Sequence, residues 1–164
     1  MINKAAELLI KRFESLHDGD LTQIGLQPKM DPVGIWTEGW GRAMRGDNGQ
    51  FLRGKVNKDL AYDSATIKTE EEADAAFLGD IKTYELIVSK KVRVPLSDNQ
   101  YGALVSYTYN TGGSSTLFRL INVGAADSSI RKWMESKYIT AGGKRLLGLV
   151  RRRKAEADLY FTKS

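Results

Sequence analysis

Residues 13–42 read FESLHDGDLTQIGLQPKMDPVGIWTEGWGR, and this stretch decides how the rest of the chain is read. Glu14 closes an apolar helical run, between Phe13 and Leu16, and the helical pattern then stops in His17-Asp18-Gly19-Asp20. Asp31-Pro-Val-Gly-Ile-Trp-Thr37-Glu-Gly-Trp-Gly41 follows, with glycines set among β-formers. A glycine inside a strand-like run gives up side-chain packing and marks a bend or a close backbone approach. An acid beside apolar groups, with a second carboxylate and a hydroxyl on a nearby tight turn, suits glycoside hydrolysis. One carboxyl must be protonated to hand a proton to the leaving oxygen, and the other must be ionised. Taken singly, neither acid is distinctive. Glu at a helix end is commonly a solvated charge, and Asp before Pro is commonly a turn former.

Outward from this stretch, Ala5, Leu8, Leu9, Arg12, Phe13 and Leu16 fall at near-helical spacing. They predict an amphipathic helix from an Asn3 N-cap to Leu16, with Glu14 in its last turn. Residues 18–63 alternate short β-runs and glycine turns. Ile24, Leu26, Ile35 and Trp36 suggest two or three strands, and residues 45–49 (RGDNG) form a turn cluster. Thr69 with Glu72 makes a capping box that opens a helix running to about Lys90, and Ser97 with Gln100 opens a second. The run Tyr101, Leu104, Val105, Tyr107, Thr108 in that second helix is nearly all apolar, which predicts the most buried helix of the fold. Asn110-Thr-Gly-Gly113 ends it. The remainder reads as helical, over residues 115–122, 127–136 and 146–161.

Composition removes several chemistries. The 164 residues contain no cysteine and one histidine, His17, so neither thiolate chemistry, a disulfide framework, nor a multi-histidine metal site is available. No metal and no cofactor is expected, and His17 reads as a solvated loop residue. Residues 2–13 carry four charges and offer no signal-peptide core, and no run approaches a membrane span. The net charge of +5 admits nucleic acid or an anionic bacterial envelope as partner. No nucleic-acid motif is present, which favours the envelope.

Glu14 in E-S-L, then D-P-x-G-x-W-T-x-G-x-G from Asp31, resembles the phage-lysozyme family of endolysins, the T4-lysozyme-like glycoside hydrolases of family 24. The members it looks most like are of phage-21 type. The family carries a Glu, an Asp and a Thr six positions after the Asp, and here 37 − 31 = 6. Residues 115–122 (STLFRLIN), Trp133 with Ala141-Gly-Gly143, and residues 148–156 (GLVRRRKAE) extend the resemblance, in the family's order, across nearly the whole chain. There are three departures. Glu14 and Asp31 stand 31 − 14 = 17 positions apart, more than in the common pattern, so a loop or a longer hairpin is expected between Gly19 and Met30. Arg42 replaces the usual His, and the link from Asn110 to Ser115 is short.

The resemblance implies an α+β, mainly helical, two-lobed lysozyme-like fold, with a small β-hairpin lobe and a larger helical lobe. One catalytic domain would span 1–164, with the β-lobe at about 18–63, the helical lobe at 1–17 and about 91–164, and a connecting helix at about 69–90. It implies a muramidase that hydrolyses the β-1,4 bond between N-acetylmuramic acid and N-acetylglucosamine in peptidoglycan. Glu14 would be the general acid, and Asp31 and Thr37 would hold a water; Asn110 is a candidate substrate contact. Arg153 falls inside the apolar stripe of the last helix, so it or Arg152 needs an acid, and one on the N-terminal helix, Glu14 included, is the candidate. The alternatives are a lytic transglycosylase on the same bond and a non-catalytic wall-binding module. The expected enzyme is a monomer without stable membrane insertion or nucleic-acid binding. It would be made in the host bacterial cytoplasm and act on the wall in the periplasm, with a holin-like or other route across the inner membrane.

Overall fold

The computed structural model describes residues 1–163, and the chain divides into two compact units. One comprises Met1–Phe13 together with the chain from Ile81 onward; the other is Glu14–Asp80. Helix α3, Glu70–Lys91, contributes to both.

In the larger unit, α1 (Lys4–Glu14) starts where the Asn3 Oδ1 accepts from the Ala6 amide at 3.0 Å, an N-cap that satisfies one of the free donors of the first turn. It buries Ala6 and Ile10, one turn apart. Ser15, at φ 62°, ends it in the left-handed region that side chains rarely adopt. Helix α4 (Asp98–Thr111) is capped by the reciprocal Ser97–Gln100 box and stopped by Gly112 at φ 81°. Residues 102–108 are all buried, as the apolar run predicts. Gly102 is where α1 and α4 approach, for a methyl there would stand 2.5 Å from the Ala6 Cβ. Helices α5 (Ser115–Asn122), α6 (Asp127–Ser136) and α7 (Leu147–Phe161) match the expected spans. Burying Leu104, Leu117, Ile121 and Met134 contributes about 1.5–3 kcal/mol each.

The stretch between α6 and α7, which the sequence reading left outside the helices, is a hairpin of β4 (Thr140–Ala141) and β5 (Lys144–Arg145). Gly142 and Gly143, at φ 57° and 74°, form its two-residue turn; two successive positive φ angles suit a tight hairpin and forbid a helix.

In the smaller unit, β1 (Lys29–Met30), β2 (Trp36–Glu38) and β3 (Arg42–Ala43) form an antiparallel sheet in that order. Lys29 stands opposite Thr37, and Met30 opposite Trp36. Trp36, Met44, Leu52 and Ala61 make its core, with Met30 and Tyr62 packed against it. The strands expected at Ile24 and Leu26 are absent. Asp20 accepts from the Thr22 amide (3.0 Å), the Thr22 hydroxyl (2.6 Å) and the Gln23 amide side chain (2.9 Å), which bends the chain, and Ile24 stands fully exposed. Residues 58–64, read as part of the turn-rich lobe, form α2 (Lys58–Ser64). Its Ala61 faces the small core, while a length of about two turns is too short to show the helical period in a sequence pattern. The Thr69–Glu72 capping box is made in both directions, at 3.1 Å each. Glu38, buried, ties β2 to the segment between α2 and α3 by accepting from the Thr66 and Ile67 amides at 2.9 and 3.1 Å.

Candidate active site

The separation of Glu14 from Asp31 in sequence is taken up by a loop, not by a longer hairpin. The Gly19 amide donates to the Gln27 carbonyl at 2.9 Å, and the Asp18 Oδ1 accepts from the Gln27 amide at 3.3 Å. These bonds close the loop at its base and return the chain to β1. Residues 14–17 and 29–32 consequently line one cavity of about 350 Å³, with Glu14 and Asp31 both in its wall.

Glu14 is the last residue of α1, and the reversal at Ser15 turns the chain immediately behind it. Its carboxylate rests on Gly41, at the turn between β2 and β3. A Cβ built on Gly41 would overlap the Glu14 Oε2 and lie 3.1 Å from its Cδ and 3.4 Å from its Cβ. Gly41 also has φ 88°. The motif's glycine pattern announced a close backbone approach; the approaching group, the Glu14 carboxylate, could not be read from sequence.

Asp31 follows β1, and its Oδ1 accepts from the Val33 and Ile35 amides at 3.0 and 2.8 Å. Both turn donors fall on one oxygen, so the turn is held while Oδ2 receives no bond from the described residues. Thr37 lies on β2, buried, with its hydroxyl donating to the Lys29 carbonyl at 2.9 Å. That bond uses its hydrogen and leaves its oxygen to accept.

His17 is not merely solvated. Its amide donates to the Gly39 carbonyl at 2.8 Å, and its Nδ1 stands 3.1 Å from the carbonyls of Ser15 and Gly39. Both partners are acceptors, so Nδ1 carries the hydrogen, and His17 pins the end of the Glu14 segment to the β2–β3 turn. Arg42, at the usual His position, makes a two-pronged ion pair with Asp80 of α3, at 2.8 and 2.9 Å.

Arg152 and Arg153, expected to need an acid, hold Glu156 of their own helix at 3.2 and 3.1 Å. All three are buried, and the Ser106 hydroxyl donates to Glu156 at 2.7 Å. Burial pushes the Glu156 carboxyl above its ordinary value, against the pull of Arg153, Arg152 and Ser106. The Asn110 Oδ1 accepts from Arg153 at 2.7 Å, which commits one end of its amide to structure. Among the described residues, no group of three or more His, Cys, Asp and Glu could hold a metal ion.

The phage lysozyme family description matches residues 21–156. The chain belongs to the phage lysozyme family. It is an enzyme of the lysozyme, or muramidase, kind. An endolysin of Acyrthosiphon pisum secondary endosymbiont phage 1 is 30% identical over 168 residues, covering 97% of each chain. A SAR-endolysin of Enterobacteria phage P21 is 29% identical, over 87% of this chain and 78% of its own. Among solved structures, the muramidase domain of SpmX from Asticaccaulis excentricus superposes with a TM-score of 0.71 at 26% identity, over 99% of each chain. This lysozyme relationship agrees with the mainly helical α+β fold described above. No helix among the described residues is long and apolar enough to cross a membrane.

Proposed function

We propose that the enzyme hydrolyses the β-1,4 bond between N-acetylmuramic acid and N-acetylglucosamine in peptidoglycan, with inversion. Glu14 gives its proton to the glycosidic oxygen. Asp31, ionised, draws a water to the opposite face of the sugar through the oxygen that the turn leaves open, and Thr37 accepts a hydrogen bond from that water. The transition state carries positive charge on the ring, which the Asp31 carboxylate stabilises. What supports the reading is that Glu14 and Asp31 wall the same cavity although the intervening chain is long. Asn110 contacts the glycan in the same proposal, through the amide hydrogens that its Arg153 bond does not engage. The likeness to endolysins and SAR-endolysins supports synthesis inside a bacterial host and action on its wall, reached with a holin-like or equivalent partner.

The test is mass spectrometry of muropeptides released from purified sacculi, with the anomer followed by NMR in the first minutes. Reducing ends with inverted configuration support the proposal. Anhydro ends would instead mark a lytic transglycosylase, and no release from sacculi would mark a wall-binding module.

A further inference from the structure

The smaller unit holds a second cavity, of about 390 Å³, beside the first. Trp36 and Tyr62 form its apolar floor, packed edge to face with ring centres 6.0 Å apart. Lys29, Lys55 and Lys58 wall it. No carboxylate among the described residues pairs with any of the three. Lys58 instead holds its ammonium 5.4 Å from the centre of the Tyr62 ring, which fixes the charge at the cavity wall. Asp20 of the neighbouring loop is bonded by Thr22 and Gln23, which together with a smaller pull from Lys58 hold its carboxyl below its ordinary value, and it makes no ion pair with that lysine. Three ammonium groups around a concave apolar floor, none of them in an ion pair among the described residues, describe a site for an anionic group on a ligand with some apolar body.

Lys29 and Met30 line this cavity and also the one that holds Glu14 and Asp31. Strand β1 is thus a shared wall, and a ligand lying along it from the cleavage site reaches the lysines. We propose that the lysine cavity is an anion subsite that takes a free carboxylate of the peptide stems borne by the glycan. This inference rests on the peptidoglycan reading above. The stems hang from the same sugars whose bond is cut, and their aliphatic side chains suit the Trp36–Tyr62 floor. Contacts of this exposed kind act on substrate capture, and they weaken as salt screens them.

The test uses the whole enzyme with Lys55 and Lys58 replaced together, leaving Lys29 untouched because it also lines the catalytic cavity. K55A/K58A and the charge-keeping K55R/K58R are compared with wild type on three substrates. These are Gram-negative sacculi, the same sacculi with their carboxylates amidated, and walls carrying covalent phosphate polymers. On untreated sacculi at low salt, K55A/K58A is expected to raise KM roughly tenfold with kcat within about twofold, and K55R/K58R to restore KM. On amidated sacculi wild type and K55A/K58A should coincide. A difference seen only on the phosphate-bearing walls would overturn the carboxylate assignment in favour of phosphate. Equal KM on every substrate, or a rise that survives amidation unchanged, would overturn the subsite. Should wild type release nothing from sacculi, the hydrolase reading fails by itself. Co-sedimentation of the same three proteins with untreated and amidated sacculi then decides the subsite, a charge-dependent difference supporting it and equal pelleting refuting it. If K55A/K58A does not fold, K55Q/K58Q takes its place.

Discussion

Replacing Gly41 by alanine probes the seat of the Glu14 carboxylate without touching the acid itself. Two effects follow from the geometry. At φ 88° an L side chain costs about 1–2 kcal/mol, which in a chain of this length lowers Tm by roughly 2–8 °C. The added methyl would also overlap the Glu14 Oε2 and crowd its Cδ at 3.1 Å, so the carboxylate must move by the order of an ångström. A misplacement of that size costs about a hundredfold in rate. Gly49 supplies the control, since at φ 75° it carries the same backbone penalty with nothing within 4 Å of its would-be methyl. The assay is turbidity loss of permeabilised bacteria, run well below both melting temperatures. Gly49→Ala should lose stability and keep activity, whereas Gly41→Ala should lose both. A Gly41→Ala enzyme within about twofold of wild type would refute the argument that this glycine exists to seat the acid.

Asp31 should separate into a structural and a chemical part. Asp31→Asn keeps the oxygen that caps the Val33 and Ile35 amides, so Tm should hold while activity falls steeply; Asp31→Ala should lose activity and also about 1–3 kcal/mol. Glu156→Gln leaves two buried guanidiniums short of their carboxylate, a loss of about 3–5 kcal/mol. Thermal unfolding checks it, and a Tm drop of less than about 3 °C would contradict it. Lys154 and then Arg131 hold the Asp158 carboxyl below its ordinary value. A depressed carboxylate adds stability above its unfolded-state value and loses it as pH falls through the folded one. Wild type should therefore melt above Asp158→Asn near neutrality, and the two should converge on acidification below the usual carboxylate range. A gap that persists in strong acid would contradict the pairing.

Helices announced themselves in the sequence through local chemistry. The Ser97–Gln100 and Thr69–Glu72 boxes and the Asn3 cap are read within four residues, and the helices begin where those residues stand. The strands expected at Ile24 and Leu26 do not form because β-forming side chains carry little weight in a loop that Asp20 bends and Gln27 closes. The hairpin at Ala141 to Lys144, which lies between the expected helices, has a local cause, since paired glycines favour that turn. At the site, Glu14 and Asp31 are legible in the sequence as an acid pair, while the loop that brings them to one cavity is fixed by Gly19, Asp18 and Gln27 and not by a local pattern. What could not be read were partners distant in sequence: Gly41 beneath Glu14, and Gly39 holding His17. Glu156 is a different case. It lies three and four positions from Arg153 and Arg152 on one helix face, so helical spacing alone makes that pairing legible.

The central claim, that Glu14 is the proton donor, is tested most directly by Glu14→Gln assayed on purified sacculi beside wild type, with both proteins confirmed folded by thermal unfolding. The fold should be unchanged and muropeptide release should fall at least about a hundredfold, the usual range for a general acid being 10²–10⁴. Retention of more than about a tenth of the wild-type rate would contradict it.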